Sequence, residues 1–304
     1  MSQRRTGRKQ EKKKIKMESL VFDYPKYLQT FELLLENSAE HQCMTDFIHT
    51  KLSGILASIG KGEPTLNVMG VGSGSGEIDL EILKVLHEKH PGAKVENEVV
   101  EPSNDMLNKY KTLISKTPGL DYATFSWNKM TATEFENEWK KRTSEKKMHF
   151  INLIQMLYYV EDPEATVCFY RSLLHKDGKV LVILVAGESA WAKLLKVYGH
   201  QLCKDGINQN ISTKEVKQFL ESKKISYQNY KFQSLLDITE CFIPGDKKGE
   251  KLLDLLTEVI DFSKTAPPEL KNGVLEFLKH PDNSKEVDGR ILFDCSTEAL
   301  LIDA

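Results

Sequence analysis

The sequence has few cysteines and no long apolar run, and both absences narrow the class of protein. Its five cysteines among 304 residues are dispersed without a Cys-x-x-Cys pair, which favours free thiols in a reducing compartment over a disulfide framework. No apolar stretch approaches the roughly 18 residues of a membrane-spanning helix, and the first residues lack the apolar core of a secretory signal. We therefore expect a cytoplasmic protein without membrane association.

Histidine and cysteine spacings typical of metal sites are scarce as well. His87 and His90 are three residues apart, but Glu88 and Lys89 lie between them on a segment whose pattern indicates a solvated helix face. A surface position explains these histidines better than a metal site does. We expect the protein to bind no metal.

A strong overall charge is also missing, because two opposite charges cancel to a formal net charge of −2. Residues 1–16 carry eight Lys or Arg against Glu11 alone, a balance of +7, so the rest of the chain carries −9. We interpret 1–16 as a disordered basic head, either a solvated tail or a segment that binds nucleic acid, anionic lipid or an import receptor. The acidic body speaks against nucleic acid as the ligand of the folded part.

Strand and helix periodicity alternate through the central part of the chain. Short apolar strands are predicted at 66–71, 95–100, 122–127, 150–154 and 180–185, with helices between them. The last of these strands is apolar throughout, which is typical of a strand covered on both faces. The alternation predicts an α/β fold with a doubly wound, mostly parallel sheet.

The flanking segments have a looser pattern. Amphipathic helices are predicted at 24–36 and 39–58, and further helices around 188–200, 212–222, 249–261 and 268–278. Two late strands, 290–294 and 299–302, are close enough in sequence to pair as a hairpin, and one of them can complete the sheet antiparallel at an edge. We expect residues 17–304 to form a single domain, with a cap from about 17–60 and 188–280 over the carboxyl edge of the sheet.

One glycine-rich loop follows the first predicted strand and opens a helix. Gly72, Gly74 and Gly76 alternate with serines, and glycines there let the backbone approach a ligand closely. Glu101 lies 25 residues after Gly76, at the carboxyl end of the second predicted strand, where an acidic side chain can accept both hydroxyls of a ribose. Each feature alone has an ordinary explanation, as a tight turn or as a solvated carboxylate. Together they predict nucleotide binding.

The kind of nucleotide follows from the helix that this loop opens. A dinucleotide fingerprint reads Gly-x-Gly-x-x-Gly, whereas here the glycines alternate and Glu77 and Asp79 place carboxylates in the first helical turn. Negative charge there repels a pyrophosphate but suits a ligand with a positive centre. S-adenosylmethionine carries a sulfonium and an ammonium and no phosphate, so the pattern favours this methyl donor over NAD.

Several longer segments resemble the histamine N-methyltransferase family. They are EHQCM at 40–44, GSGEIDL at 74–80, NEVVEPS at 97–103, IQMLYYV at 154–160 and TAPP at 265–268. The likeness runs from about residue 17 to residue 304 and leaves the basic head outside it. It implies a class I methyltransferase, with a Rossmann-like sheet and a helical substrate-binding cap, that acts as a cytosolic monomer on a small amine.

The resemblance also implies where the ligands bind. Gly72 and Glu101 contact S-adenosylmethionine, and Ile154 lies over the donor. The loop pattern adds Gly74 and Gly76 to the predicted donor contacts. The residues implied at the substrate are Glu40, Tyr27, Phe31, Gln155, Tyr158, Tyr159 and Trp191. Glu40 matches the carboxylate that receives the cationic end of the substrate. By spacing alone, Tyr27 and Phe31 are core residues and Glu40 a carboxylate at a helix start.

Some positions depart from the usual residues of the family. Cys295 stands where an asparagine bonds the imidazole ring, Met106 and Ala132 replace a glutamine and a serine on the donor side, Leu195, Leu202 and Leu255 replace aromatics, and Asn208 and Asn210 replace a cysteine and a tyrosine. These changes indicate a larger and more polar pocket. The substrate therefore stays open between histamine and a histidine dipeptide such as carnosine.

The predicted function is N-methylation of an imidazole amine without any residue that acts as acid or base. The leaving thioether needs no acid, so the enzyme has only to position the reactants. Two alternatives remain open: a protein that binds the donor but methylates nothing small, and a methyltransferase for a protein or RNA that the basic head docks.

Overall fold

A computed structural model describes residues 17–142, 146–202 and 210–304. The basic head 1–16 and Asn208 therefore lie outside the described residues. The helices are α1 (Tyr24–Asn37), α2 (Glu40–Phe47), α3 (Ser53–Leu56), α4 (Glu77–Lys89), α5 (Asn104–Lys116), α6 (Ala132–Lys141), α7 (Pro163–Ser172), α8 (Ala190–Leu202), α9 (Thr213–Ser222), α10 (Lys247–Thr257), α11 (Phe262–Thr265) and α12 (Pro268–Lys279). The strands are β1 (Thr65–Val71), β2 (Lys94–Val100), β3 (Ala123–Asn128), β4 (Met148–Ile154), β5 (Leu174–Val185), β6 (Tyr227–Phe232), β7 (Leu235–Asp237), β8 (Ser284–Val287), β9 (Arg290–Asp294) and β10 (Thr297–Asp303).

The central sheet has seven strands in the order β3-β2-β1-β4-β5-β10-β6. The first five are parallel, and β10 runs antiparallel to both of its neighbours. This arrangement confirms the predicted doubly wound, mostly parallel sheet and its five alternating strands. Because the chain reverses its winding at β1 and β4, a crevice opens at the carboxyl ends of these strands.

The predicted hairpin between the strands at 290–294 and 299–302 is wrong. β9 pairs with β7 and β8 in a separate three-stranded antiparallel sheet, whereas β10 lies between β5 and β6 in the central sheet. The expected edge position is wrong too, because β6 forms the edge. Residues 297–302 of β10 are buried and need partners on both sides, but β6 presents polar residues such as Gln228, Asn229 and Lys231, which hid it from periodicity.

Apolar clusters cover the two faces of the central sheet. On one face, Phe150 and Leu181 pack with residues of α2, α3 and α4. On the other face, Ile151 and Val180 pack with residues of α6, α7 and α9. Neighbouring residues of one strand point to opposite faces, so each strand of the pair β4 and β5 contributes to both layers.

A third apolar cluster joins the remaining helices to the small sheet. Leu34 of α1, Leu194 of α8, Leu252 of α10, Val274 of α12 and Phe293 of β9 belong to it. The chain enters α1 through Asp23, whose side chain accepts a hydrogen bond from Lys26 N at 3.2 Å. The predicted helix at 39–58 is continuous but contains a π-helical turn, Ile48–Leu52. Among the described residues, no helix combines the length and the apolar character that a bilayer crossing requires.

Candidate active site

The glycine loop joins β1 to α4 at the carboxyl edge of the sheet. Gly72, Gly74 and Gly76 all have positive φ, +69°, +55° and +86°, which is the left-handed region that favours glycine. A Cβ at Gly72 would lie 2.7 Å from Met156 Cβ, and one at Gly76 would lie 2.1 Å from Tyr110 Cδ2. At Gly74 no atom lies within 4 Å of that position. The loop is therefore closely packed at both ends and open in the middle, where a ligand can reach the backbone.

Glu101 faces this loop from the end of β2. Its Oε2 accepts a hydrogen bond from Gly74 N and its Oε1 one from Ser103 N, both at 2.9 Å. Burial raises the pKa of its carboxyl, and the two N–H donors oppose that shift. Each carboxylate oxygen keeps a lone pair, so the group can accept hydroxyls of a ribose while it anchors the loop.

Tyr24 is a residue of this region that the sequence reasoning missed. It lies in the first turn of α1, and its hydroxyl faces Ser103 and the Glu101 carboxylate. Its ring is stacked on that of Tyr27, with 6.2 Å between the ring centroids. The Tyr27 ring is stacked in turn on that of Phe31, also with 6.2 Å between the centroids. The only available signal was the regular spacing of these three aromatics. They form a ladder along α1 from the Glu101 side towards a cavity.

That cavity has a volume of about 70 Å³. It is lined by Leu20, Val21, Tyr27, Phe31, Leu34, Glu40, Gln155, Tyr158, Tyr159, Val185, Trp191, Leu195, Leu255, Glu258 and Thr297. All seven residues predicted for the substrate are among them. Tyr159 is 41% exposed and its hydroxyl is hydrogen-bonded to that of Tyr27 at 3.3 Å, so this pair stands at the mouth. The cavity brings α1, α8 and α10 together over the ends of β4, β5 and β10.

A chain of hydrogen bonds orients Glu40 in this cavity. Val185 N donates to Tyr158 Oη at 2.8 Å, and this hydroxyl donates to Gln155 Oε1 at 2.8 Å. Gln155 Nε2 in turn donates to Glu40 Oε1 at 2.7 Å. Gln155 has φ +52°, a left-handed conformation that few non-glycine residues adopt and that the sequence did not reveal. The backbone thus holds the amide in the orientation that fixes the carboxylate.

The other oxygen of Glu40 is available for a ligand. Glu40 is 2% exposed, and its Oε2 has no hydrogen-bond partner among the described residues. Burial raises the pKa of this carboxyl to about 7, although the hydrogen bond from Gln155 lowers it in part. A buried carboxylate with an unpaired oxygen is unfavourable by itself and is stabilised by a cation.

The N-terminal segment covers the cavity and is tied to the turn after α10. Leu20 N donates to Glu258 O at 2.8 Å, and Lys26 Nζ lies 2.9 Å from Asp261 Oδ2. Trp191 is fixed as a wall because its Nε1 donates to Leu256 O at 3.2 Å. Glu258 lines the cavity with φ +56°, and no sequence signal distinguished it from the other acidic residues.

The positions that depart from the family lie in different places. Leu195, Leu202 and Leu255 all belong to the third apolar cluster, but only Leu195 and Leu255 also line the cavity. Cys295 is fully buried and does not line the cavity, and its Sγ lies 3.3 Å from Ser234 Oγ. Asn210 is exposed beside Gly199 of α8 and is not part of the lining, so the added polarity expected from it is wrong.

The donor-side residues of the prediction share one edge of the sheet. Ile154 is the last residue of β4 and is half-buried. Met106 and Ala132 lie in the first turns of α5 and α6. Within the described ranges, no group of three His, Cys, Asp or Glu side chains is arranged to hold a metal ion.

Comparison with known proteins decides the family. A family model described as a methyltransferase domain matches residues 41–222. Over 285 residues the chain is 60% identical to histamine N-methyltransferase of Danio rerio, which covers 94% of this chain and 98% of that protein. The chain belongs to the histamine N-methyltransferase family. Histamine N-methyltransferase B of Xenopus laevis is 43% identical over 95% of this chain and 98% of its own length, and the Bos taurus enzyme is 40% identical over 95% and 99%.

Membership of the histamine N-methyltransferase family makes the chain an S-adenosylmethionine-dependent N-methyltransferase. The fold agrees: the YcgJ protein from Bacillus subtilis matches with a TM-score of 0.52 at 13% identity, over 86% of this chain and 98% of that one. The predicted class I methyltransferase fold is thereby confirmed. The residues present fit the donor, because Gly74 leaves the loop backbone open and Glu101 keeps acceptor capacity beside it.

We expect Gly76→Ala to weaken S-adenosylmethionine binding about tenfold, because the added methyl group forces the buried Tyr110 ring to move and the loop with it. The matched control is Gly119→Ala, at φ +76° with no atom within 4 Å of the new methyl group, so it reports the left-handed strain alone, about 1 kcal/mol. Calorimetry measures donor affinity and a thermal melt measures stability. Equal donor affinities in the two variants would contradict the role given to this packing.

Proposed function

We propose that this enzyme methylates a ring nitrogen of a small imidazole amine, with histamine as the first candidate. The observation that carries the proposal is the buried Glu40 Oε2, which lacks a hydrogen-bond partner among the described residues and belongs to a side chain that lines the aromatic cavity. An ammonium group is the natural partner for this oxygen, since a charge-assisted hydrogen bond contributes about 1.5–3 kcal/mol. The name of the family's relatives points to the same amine.

The chemistry requires little from side chains beyond positioning. S-adenosylmethionine, when bound, supplies a methyl group on a sulfonium whose thioether leaves without an acid. The attacking ring nitrogen must be unprotonated, and with a pKa near 6.5 about nine tenths of an imidazole is neutral at pH 7.5. Glu40 holds the ammonium end, Gln155 and Tyr158 hold Glu40, and the aromatic walls exclude water and limit rotation of the ring.

We assign the site residues accordingly. The proposed donor contacts are Gly72, Gly74, Gly76, Glu101 and Ile154, and the proposed substrate contacts are Glu40, Tyr27, Phe31, Gln155, Tyr158, Tyr159 and Trp191. In this proposal no residue acts as a general acid or base, and no metal takes part. The grouping of the first set around the loop and of the second set around one cavity supports it.

Histamine is placed ahead of carnosine because the relatives reported above are all named for histamine. A cavity of about 70 Å³ that is lined largely by aromatic and aliphatic side chains is consistent with a small amine. Leu195 and Leu255 favour the larger substrate, because each leaves more room in the cavity than an aromatic side chain would. Carnosine therefore remains the second candidate.

We further propose that 17–304 act as one catalytic domain, with 17–60 and 188–280 covering the substrate, and as a monomer. The cavity supports this, because elements of a single chain surround it. Cys43, Cys168, Cys241 and Cys295 are all free thiols, which suits a reducing compartment such as the cytoplasm.

Transfer of a labelled methyl group to histamine, carnosine, histidine and an amine without an imidazole tests the substrate. We expect the highest kcat/KM with histamine and none with the last compound. Donor binding without turnover on any of the imidazole compounds would overturn the proposal.

Leu255→Phe tests the match between cavity and substrate. We expect the ratio of kcat/KM for histamine over carnosine to rise about fivefold, because the larger ring removes room that only the longer molecule needs. Steady-state kinetics with both substrates measure the ratio, and donor affinity serves as the control for folding. An unchanged ratio of the two kcat/KM values would show that Leu255 does not determine the choice of substrate.

A further inference from the structure

A buried polar network lies beneath the glycine loop, outside the contacts assigned so far. Asp79, in the first turn of α4, is only 4% exposed. Tyr110 Oη of α5 donates to Asp79 Oδ2 at 3.4 Å, and Asn97 Nδ2 of β2 donates to Tyr110 Oη at 3.4 Å. The network thereby links α4, α5 and β2, the three elements that surround the loop.

The backbone around the loop is shaped to this network. A Cβ at Gly70 would lie 2.2 Å from Asp79 Oδ2 and 2.4 Å from Ser73 Oγ, and one at Gly76 would lie 2.1 Å from the Tyr110 ring. Both positions must be glycine because Asp79 and Tyr110 occupy the space where side chains would extend. The end of β1 before the loop therefore packs against the Asp79 carboxylate, and the last glycine of the loop packs against the Tyr110 ring.

The charge of Asp79 has no cationic counterpart among the groups that act on it. The side chains that face it are Ser73 of the loop, Asn152 of β4 and Tyr110 of α5, all neutral, and the charged group that acts on it is Glu101 at the end of β2. Burial, together with the like charge of Glu101, raises the pKa of the Asp79 carboxyl to about 6. An ionised carboxylate at this place is costly unless a positive ligand lies nearby.

We propose that Asp79 is a positioning residue for the methyl donor: it fixes the glycine loop together with Tyr110, and its negative charge makes the site favour the cationic sulfonium donor over the neutral thioether product. S-adenosylmethionine and S-adenosylhomocysteine share all their polar groups and differ in this one charge. The same charge favours release of the product S-adenosylhomocysteine, because methyl transfer removes the sulfonium charge and with it the attraction to Asp79.

The test is calorimetric binding of each ligand alone, without any acceptor, so it is independent of the proposed substrate. For the wild type we expect the ratio of the two affinities to favour the donor above pH 7 and to fall as pH drops through about 6, where Asp79 takes up its proton. Asp79→Asn should lower the ratio about fivefold at pH 8 and remove the change near pH 6. A pH dependence of the ratio that persists unchanged in that variant does not come from Asp79 and contradicts the charge role.

Two further variants separate positioning from charge. Tyr110→Phe should weaken both ligands by a similar factor and leave their ratio intact, because it loosens the loop and keeps the carboxylate. Glu88→Gln, an exposed change on the same helix, should alter neither affinity.

An Asp79→Asn protein that keeps the wild-type ratio and pH profile, or that weakens both ligands equally, overturns the charge role. Unchanged affinities in Tyr110→Phe overturn the positioning role. If Asp79→Asn does not fold, the wild-type pH series decides: a ratio constant from pH 5 to pH 8 rejects the proposal.

Discussion

Glu40→Gln is expected to raise the KM for the amine about 100-fold, because the substitution removes one charge-assisted hydrogen bond of up to about 3 kcal/mol. The amide has the same shape as the carboxylate and can still accept the hydrogen bond from Gln155 Nε2 through its oxygen. Its NH2 group then faces the cavity, where it opposes the ammonium of the substrate instead of attracting it. Steady-state kinetics with histamine measure the change.

Donor affinity is the internal control for Glu40→Gln. We expect calorimetric binding of S-adenosylmethionine to stay within about twofold of the wild type, because Glu40 lines the substrate cavity, whereas Glu101 is bonded to the glycine loop. Glu36→Gln, an exposed glutamate in α1, should change neither quantity. Equal losses of donor and substrate affinity would remove Glu40 from the substrate site.

The same variant has a second readout in stability. The unfolded chain releases the Glu40 proton near the usual glutamate value, whereas the folded chain keeps it up to about pH 7. The folded state therefore binds more protons between these values, and the wild-type free energy of unfolding falls as pH rises through this window. Chemical denaturation at pH 5 and pH 8 should show a smaller fall in Glu40→Gln.

Glu101→Gln is expected to weaken S-adenosylmethionine binding about 100-fold, which corresponds to about 2.7 kcal/mol. Both carboxylate oxygens already accept an N–H, from Gly74 and from Ser103. If an amide NH2 replaces either oxygen, it faces the backbone N–H of Gly74 or of Ser103, so two donors oppose each other. The ribose hydroxyls also lose one of the oxygens that can accept their hydrogen bonds. The loop and the ligand are thus affected together, and calorimetry without acceptor measures the result.

Glu96→Gln is the control on the same strand, because Glu96 is solvent-exposed and its pair with Lys146 is a surface contact. We expect it to bind the donor as the wild type does. A Glu101→Gln protein that matched it in donor affinity would show that the hydroxyls are bound elsewhere. Melting temperatures of both variants report any loss of fold.

The five parallel strands and the glycine loop were predictable because their signals are local. An apolar run such as 180–185 and a loop such as 72–76 carry their meaning within a few neighbouring residues. The hairpin of β9 and β10 failed for the opposite reason. Proximity in sequence suggested the pairing, but burial on both sides places β10 between β5 and β6, and no local pattern records which distant strand will be its partner.

At the substrate site too, some features were predictable from the sequence and others only from the structure. Resemblance to the family brought Glu40 and Gln155 forward as residue types at matching positions, and both line the cavity. Only the structure showed that they share a hydrogen bond at 2.7 Å and that the left-handed backbone of Gln155 orients it. Tyr24 and Glu258 gave no usable signal, since an aromatic at helical spacing and an acidic residue near a helix end are ordinary features of many proteins.

The sequence by itself predicted an α/β fold and a loop for a cationic donor, because strand periodicity, glycine spacing and carboxylate placement are local features of the chain, and its resemblance to the family added the methyltransferase activity. The tertiary structure decided which carboxylates are buried and which of their oxygens remain unpaired. Glu40 and Asp79 read alike as acidic residues near helix starts, yet one faces a cavity and the other supports the loop. That difference depends on packing from α1, α5 and β4, and burial sets the cost of a charge and therefore the ligand that relieves it.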